Sequence, residues 1–136
     1  MQFLLDNMML ASLVVFSGLM LVWSFVGNKM RGLRDVETTG AMQLINHKNA
    51  LVLDVREANE FKGGHILNAK HIPLGKLNSR LNEIESHRDQ PIVVVCRSGN
   101  RSASACGLLK AQGFGQSYNL TGGMLAWQKA NLPVTR

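Results

Sequence analysis

One segment of the chain carries the residue types and spacing of a sulfur nucleophile. Cys96-Arg97-Ser98-Gly99-Asn100-Arg101 directly follows the apolar run Pro91 to Val95 (PIVVV) and precedes a stretch with helical character from about Ser102. In an open parallel α/β sheet, ligands gather at the carboxyl ends of strands. A loop there that opens into a helix aims its backbone N–H groups inward and forms an anion nest. Gly99 and Asn100 are residue types that tolerate the positive φ a tight loop requires. A cysteine at the mouth of such a loop has its thiolate stabilised by those N–H groups and by the helix dipole, and Arg97 and Arg101 add positive charge. An ordinary thiol has a pKa of about 8.5, and such surroundings lower it by about one unit or more. Cys96 is therefore expected to act as a nucleophile near neutral pH. The competing reading is an inert cysteine at a strand end, but Arg, Ser, Gly, Asn and Arg do not make an apolar burial site.

The remaining candidate groups are weaker. A thiolate already held by backbone dipoles needs no general base, so His65 and His71 read as structural. His47 and His87 fall near helix ends and read as solvated. Cys106, the second of the two cysteines, lies inside the predicted helix. It reads as a small core residue rather than a thiol that resolves Cys96. No C-x-x-C pair or His cluster suggests a disulfide framework or a metal site, so no metal and no cofactor are expected. A free reactive thiol fits a reducing compartment.

The elements that must position Cys96 follow from periodicity and punctuation. Thr38 or Thr39 can cap a helix over roughly Gly40 to Asn46, with Ala41, Leu44 and Ile45 on one face. Ala50 to Val55 (ALVLDV) reads as a strand buried on both faces. Glu57 to Phe61 predicts a helical turn stopped by Gly63 and Gly64. Ala69 to Ile72 predicts a short strand, and Leu77 to His87 has helical spacing. Pro91 to Val95 is the clearest buried strand, and the helix over Ser102 to Gln112 ends at Gly113. Ser117 to Leu120 predicts a last strand and Met124 to Lys129 a last helix. Gly122, Gly123 and Trp127 read as a turn and a packing contact. Strands alternating with helices indicate an α/β domain with a small, mostly parallel sheet flanked by helices.

Charge and hydropathy divide the 136 residues unevenly. Met8 to Val26 contains no Lys, Arg, Asp, Glu or His, although the whole chain is 18% charged with a formal net charge of +6. As a helix at about 1.5 Å per residue this run spans about 28 Å, near the ~30 Å of bilayer hydrocarbon. Residues 1–34 are thus expected to be a transmembrane anchor, about 8–26, followed by a basic linker, with the catalytic domain over 35–136. The charge before the run is Asp6, whereas Lys29, Arg31 and Arg34 follow it. That pattern fits an uncleaved anchor better than a signal peptide. It also places the domain on the cytoplasmic side of an inner or plasma membrane as a single-pass protein. The other basic residues are scattered, so a nucleic-acid partner is not expected.

The CRSGNRS segment resembles the active-site loop of the rhodanese-like sulfurtransferases. LVLDVRE (Leu51 to Glu57), GGHILNAKHIP (Gly63 to Pro73) and LTGGMLAW (Leu120 to Trp127) resemble further family segments and occur in the family's order. The resemblance implies a small parallel-sheet α/β domain and a persulfide carried on Cys96. Cys96 would take sulfane sulfur from a small donor such as thiosulfate or a persulfide. It would pass that sulfur to cyanide, a thiol or a protein acceptor. Loop N–H groups from Arg97, Ser98, Gly99, Asn100 and Arg101 would hold the persulfide. The resemblance further implies that Asp54, Arg56 and Glu57 support the loop, with a pairing to Arg101 among their possible roles and a structural one favoured. Phosphatases of related fold use Cys-x5-Arg loops, and this Cys-x4-Arg loop is one residue shorter. The alternative function is a non-catalytic, membrane-tethered interaction module.

Overall fold

The structure, a computed structural model, describes residues 1–30 and 34–136, with the side chains of residues 4 and 25–30 outside the description. The chain divides into two compact units, Met1–Gly32 and Leu33–Arg136.

The first unit holds the helices α1 (Gln2–Asp6) and α2 (Met8–Met30). The apolar side chains of α2 are exposed around the helix, from Met8 and Leu13 to Trp23. Among the described residues, however, no helix is long and apolar enough to cross a membrane. The expected spanning helix is not found on that evidence. Phe25, Val26, Lys29 and Arg31, which complete the sequence argument, lie outside the described side chains.

The second unit is an α/β domain. Its chain order is β1 (Arg34–Val36), α3 (Thr38–Lys48), β2 (Leu51–Asp54), α4 (Ala58–Lys62), β3 (Lys70–His71) and α5 (Leu74–Leu77). A 3₁₀ helix (Leu81–His87) follows, then β4 (Ile92–Val95), α6 (Asn100–Ala111), β5 (Ser117–Leu120) and α7 (Gly123–Lys129). The five strands form one sheet in the order β1-β5-β4-β2-β3, and every pairing is parallel. Helices and strands fall close to their expected places, with two differences. The helical spacing of Leu77, Leu81 and Ile84 is divided between α5 and the 3₁₀ helix. β1 was not foreseen: Arg34 was read as linker, yet Arg34–Val36 adds an edge strand beside β5. Three residues with one hydrophobic member carry too little pattern to be read as a strand.

The period-2 alternation of strand side chains assigns each residue a face. Leu53, Val55, Ile92, Val94 and Cys96 pack on one side with Leu77, Ile84, Ala105, Cys106, Leu109 and Phe114. Val52, Val93 and Val95 pack on the other with Ala41, Ile66, Leu120, Met124 and Trp127. β4, flanked by β2 and β5, is therefore buried along its whole length, as an all-valine and isoleucine strand requires. The strand order reverses between β2 and β4, because β2 is followed in space by β3 on one side and β4 on the other. Such a switch point opens a crevice at the strand carboxyl ends, and Cys96 is the first residue beyond β4.

Candidate active site

Cys96 continues the β4 alternation onto the α6 face, so its side chain turns into the sheet rather than out of it. It is 1% exposed. The sequence reading put it at the mouth of the loop; the structure puts it at the bottom. Its surroundings are nonetheless polar. Gly99 N–H donates to Cys96 Sγ at 3.0 Å, and Ser102 Oγ lies 3.3 Å from the sulfur. Burial pushes the thiol up. The Ser102 hydroxyl and the backbone N–H groups of Ser102, Gly99 and Ser98 outweigh it, leaving Cys96 below the ordinary thiol range. The nest inferred from residue types is thus present as geometry.

The loop closes because Gly99 adopts φ 105° as the N-cap of α6, a conformation that L side chains rarely adopt. Asn100, the other residue expected to tolerate positive φ, instead begins α6. From below, α7 grips the loop: Met124 N–H donates to the Cys96 carbonyl at 2.8 Å and Leu125 N–H to the Arg97 carbonyl at 3.1 Å. Gly123, at φ 53°, sits so close that a Cβ would collide with the Cys96 carbonyl oxygen and the Arg97 carbonyl. The Gly122-Gly123 pair is therefore the seat of the cysteine loop. Arg97, Ser98 and Asn100 are exposed. Arg97 lines a cleft of about 350 Å³ together with Glu60, Gly64, Met124 and Leu125.

Arg101 does not pair with the DVRE segment. Its guanidinium makes a two-pronged contact with Glu60, Nη1 to Oε1 at 2.7 Å and Nη2 to Oε2 at 2.9 Å. Asp54 is engaged by Arg56, whose Nη2 donates to Asp54 Oδ2 at 2.8 Å and to the Gly64 carbonyl at 2.8 Å. This buried pair braces the turn after β2 and leaves no free carboxylate for the loop. Glu57 is the N-cap of α4, and its N–H donates to Glu60 Oε1 at 3.2 Å. One helical turn carries the useful carboxylate from position 57 to position 60. The Glu57-x-x-Glu60 spacing at a helix start was the available signal for it. The hydrogen bonds from Arg101 hold the Glu60 carboxyl at about 2, against opposing burial and with help from the Glu57 N–H.

Three further residues behind the sulfur were not foreseen. Ser102 Oγ–H donates to Asn119 Oδ1 at 2.5 Å, and Asn119 Nδ2–H donates to Asp35 Oδ1 at 3.2 Å. Ser102 is fully buried and Asn119 nearly so. Asp35 and Asn119 are register partners in the β1–β5 pairing, so the missed edge strand is what brings Asp35 there. The histidines take backbone partners. His65 Nδ1 lies 2.8 Å from the Phe61 carbonyl and His71 Nε2 2.7 Å from the Arg56 carbonyl, and both rings stack on Phe61. Cys106 is fully buried, and burial pushes its thiol up to about 12. Among the described residues no cluster of His, Cys, Asp or Glu is arranged to hold a metal.

The class of domain defined by the structure is a parallel α/β sheet with a buried cysteine at its switch point, whose sulfur accepts from the N–H of the loop that follows. Residues 38–130 match the rhodanese-like domain model, and the chain belongs to that family. It is 44% identical over 81 residues to an uncharacterised Bacillus subtilis protein, YqhL, covering 60% of this chain and 63% of that protein's length. It is 37% identical over 94 residues to a sulfurtransferase of Allochromatium vinosum, covering 69% of this chain and 86% of the relative. A rhodanese-related protein from Thermoplasma volcanium superimposes with a TM-score of 0.67 at 32% identity, over 75% of this chain and 97% of that one. The α/β fold with a parallel sheet is that of the family.

Proposed function

We propose that the domain is a sulfurtransferase that moves sulfane sulfur from thiosulfate or a persulfide donor to a thiol or cyanide acceptor through a persulfide on Cys96. The observation that carries this reading is the Gly99 N–H donated to Cys96 Sγ at 3.0 Å at a helix amino terminus, with Ser102 Oγ 3.3 Å from the same sulfur. With thiosulfate, the Cys96 thiolate attacks the outer sulfur and forms the Sγ–Sδ bond. The S–S bond of the donor breaks, and sulfite leaves with its electron pair. An acceptor thiolate then attacks the outer sulfur Sδ and takes it away, and the Sγ–Sδ electron pair returns to Cys96. N–H donors near a negative sulfur stabilise charge in both steps. The exposed loop residues Arg97, Ser98 and Asn100, with Gly99 and Arg101, are the surface a donor or a protein acceptor meets. The test is mass spectrometry of the protein after thiosulfate treatment. A gain of one sulfur atom at Cys96, removed by cyanide with release of thiocyanate, is expected. Its absence with several sulfane donors, or its persistence in Cys96→Ser, would refute the reading.

We also propose that residues 8–26 attach the domain to an inner or plasma membrane with the catalytic part on the cytoplasmic side. The supports are the exposed apolar side chains of α2 and the basic residues Lys29, Arg31 and Arg34 after them. Recovery in the membrane fraction after alkaline carbonate washing checks this. Full release into the wash would exclude it.

A further inference from the structure

The chain of groups behind Cys96 has a direction, and the direction has a chemical consequence. Asp35 is a carboxylate and, when ionised, can only accept hydrogen bonds. Asn119 must therefore turn its NH₂ toward Asp35, as the 3.2 Å contact shows, and its carbonyl Oδ1 toward Ser102. An amide oxygen also only accepts, so the single hydroxyl hydrogen of Ser102 goes to Asn119. Toward Cys96, 3.3 Å away, Ser102 then presents a lone pair. That arrangement suits a protonated thiol, whose S–H donates to Ser102 Oγ. A thiolate would need the Ser102 hydrogen to swing from Asn119 to the sulfur.

We propose that Asn119, oriented by Asp35, is a positioning residue that competes with Cys96 Sγ for the hydrogen of Ser102. Ser102 gives it to the sulfur only while Sγ carries charge and returns it to Asn119 once Sγ is protonated or bonded to a second sulfur. This deepens the sulfurtransferase reading and rests on it for the persulfide half. When the donor's sulfur is captured, the negative charge passes from Sγ to the outer sulfur, where loop N–H groups face it, and the Ser102 hydrogen turns back to Asn119. When the acceptor removes that sulfur, Sγ leaves as a thiolate and the hydroxyl turns to it again. No proton is gained or lost in the swing; one O–H group changes its acceptor. A hydroxyl committed to Sγ at all times would stabilise the thiolate further and raise its population near neutral pH. The competition from Asn119 limits that stabilisation.

Other groups on the elements around the loop do not supply this competition. Arg97 is exposed, and Arg101 is paired with Glu60. Asp54 and Arg56 on and after β2 are closed on one another. Tyr118, one residue before Asn119 on β5, contacts Arg34 of β1 at 3.4 Å. Cys106 lies deeper on α6, and Lys129 is exposed at the far end of α7.

The experiment is the rate of Cys96 alkylation by iodoacetamide as a function of pH, read by mass spectrometry on the Cys96 peptide of the full chain. It requires no sulfur donor, so its outcome is separate from the sulfurtransferase test. Ser102→Ala removes the donor and is expected to slow alkylation at pH 7 about tenfold, the scale of one hydrogen bond to a charged group. Asn119→Leu removes the competitor and moves the pH profile the other way, making alkylation at pH 7 about threefold faster. The double variant matches Ser102→Ala, because the competitor has nothing left to compete for. Ser102→Thr, which keeps the hydroxyl, recovers most of what Ser102→Ala loses. If Asn119→Leu does not fold, Asn119→Ser shortens the side chain out of reach of Ser102 and is expected to give the same sign. Asn119 variants that fold and slow alkylation like Ser102→Ala, or a double variant whose effects simply add, would overturn the proposal.

Discussion

Replacing Gly123 with alanine tests how the cysteine loop is held. The residue has φ 53°, and its missing Cβ is what lets the Cys96 and Arg97 carbonyls approach α7. Two costs arise from the substitution. Holding an L residue in the left-handed region costs about 1–2 kcal/mol. The Cβ also collides with backbone, not with a flexible side-chain tip, so the loop or the start of α7 must shift. A shift large enough to clear the methyl group lengthens the 2.8 Å bond from Met124 N–H to the Cys96 carbonyl and the 3.1 Å bond from Leu125 N–H to the Arg97 carbonyl. At about 1 kcal/mol each, their loss brings the total to about 3–4 kcal/mol. Urea denaturation of the Gly123→Ala protein measures the stability, and iodoacetamide alkylation of Cys96 measures the loop. If the start of α7 shifts and the loop keeps its shape, the loss appears in stability alone. If the loop itself distorts, stability falls as well, the Gly99 N–H moves off the Cys96 sulfur, and the thiol reacts about tenfold more slowly at pH 7. A variant with native stability and native Cys96 reactivity would refute the reasoning, since neither route would have been taken.

Three further substitutions or measurements follow from the same geometry. Glu60→Gln removes the two-pronged partner of Arg101 and is expected to cost about 1 kcal/mol at pH 7, as for a partly exposed ion pair. Because the Glu60 carboxyl is lowered from 4.5 to about 2, the pair's contribution is complete above about pH 4.5 and lost as pH falls toward 2. Urea titrations of native and Glu60→Gln proteins should therefore converge across that window, and parallel curves would count against the pair. Cys106→Ala empties part of a fully buried site and is expected to lower stability by about 1–2 kcal/mol while leaving persulfide formation on Cys96 within about twofold. A lost persulfide in a stably folded Cys106→Ala protein would give that thiol a role in turnover. Finally, with Cys96 1% exposed, small alkylating reagents should react much faster than bulky maleimides of equal intrinsic reactivity. Equal rates would mean that the loop opens freely.

Much of the fold was legible because β4 and β2 are short apolar runs with turn signals at both ends, and α6 has a helical pattern closed by Gly113. The cysteine loop was legible for a related reason: its glycine, polar residues and arginines contradict the apolar strand before them. What the sequence hid is instructive. The depth of Cys96 follows from strand alternation, which continues one residue past Val95 and turns the sulfur onto the α6 face. Residue types had suggested exposure, and Arg97, Ser98 and Asn100 are exposed, but the sulfur next to them is not. Glu60 was hidden behind Glu57 because a carboxylate at a helix start reads as a cap, and the helical turn that redirects position 60 toward Arg101 is a tertiary outcome. Asp35 and Asn119 lie 84 residues apart, and only the pairing of β1 with β5 makes them neighbours. No local pattern carries such a contact.

The two cysteines provide an internal control on the chemistry. Both belong to the same buried cluster on one face of the sheet, and both are at most 1% exposed. Burial alone disfavours a thiolate at either position. Yet Cys106 is pushed up to about 12, with one side-chain hydrogen bond from Ser117 against the desolvation. Cys96 moves in the opposite direction, because the Ser102 hydroxyl and the backbone N–H groups of the loop together outweigh its desolvation. Solvent exposure therefore does not separate the two thiols; the donors around each sulfur do, together with the stronger desolvation of Cys106. On the proposed function, the reactivity of Cys96 then depends on the loop conformation that supplies those donors. Competitive alkylation of the native protein at pH 7 should label Cys96 almost exclusively, and the selectivity should vanish on unfolding in urea. Comparable labelling of Cys106 in the folded state would break the link between donor geometry and thiolate formation on which the chemistry depends.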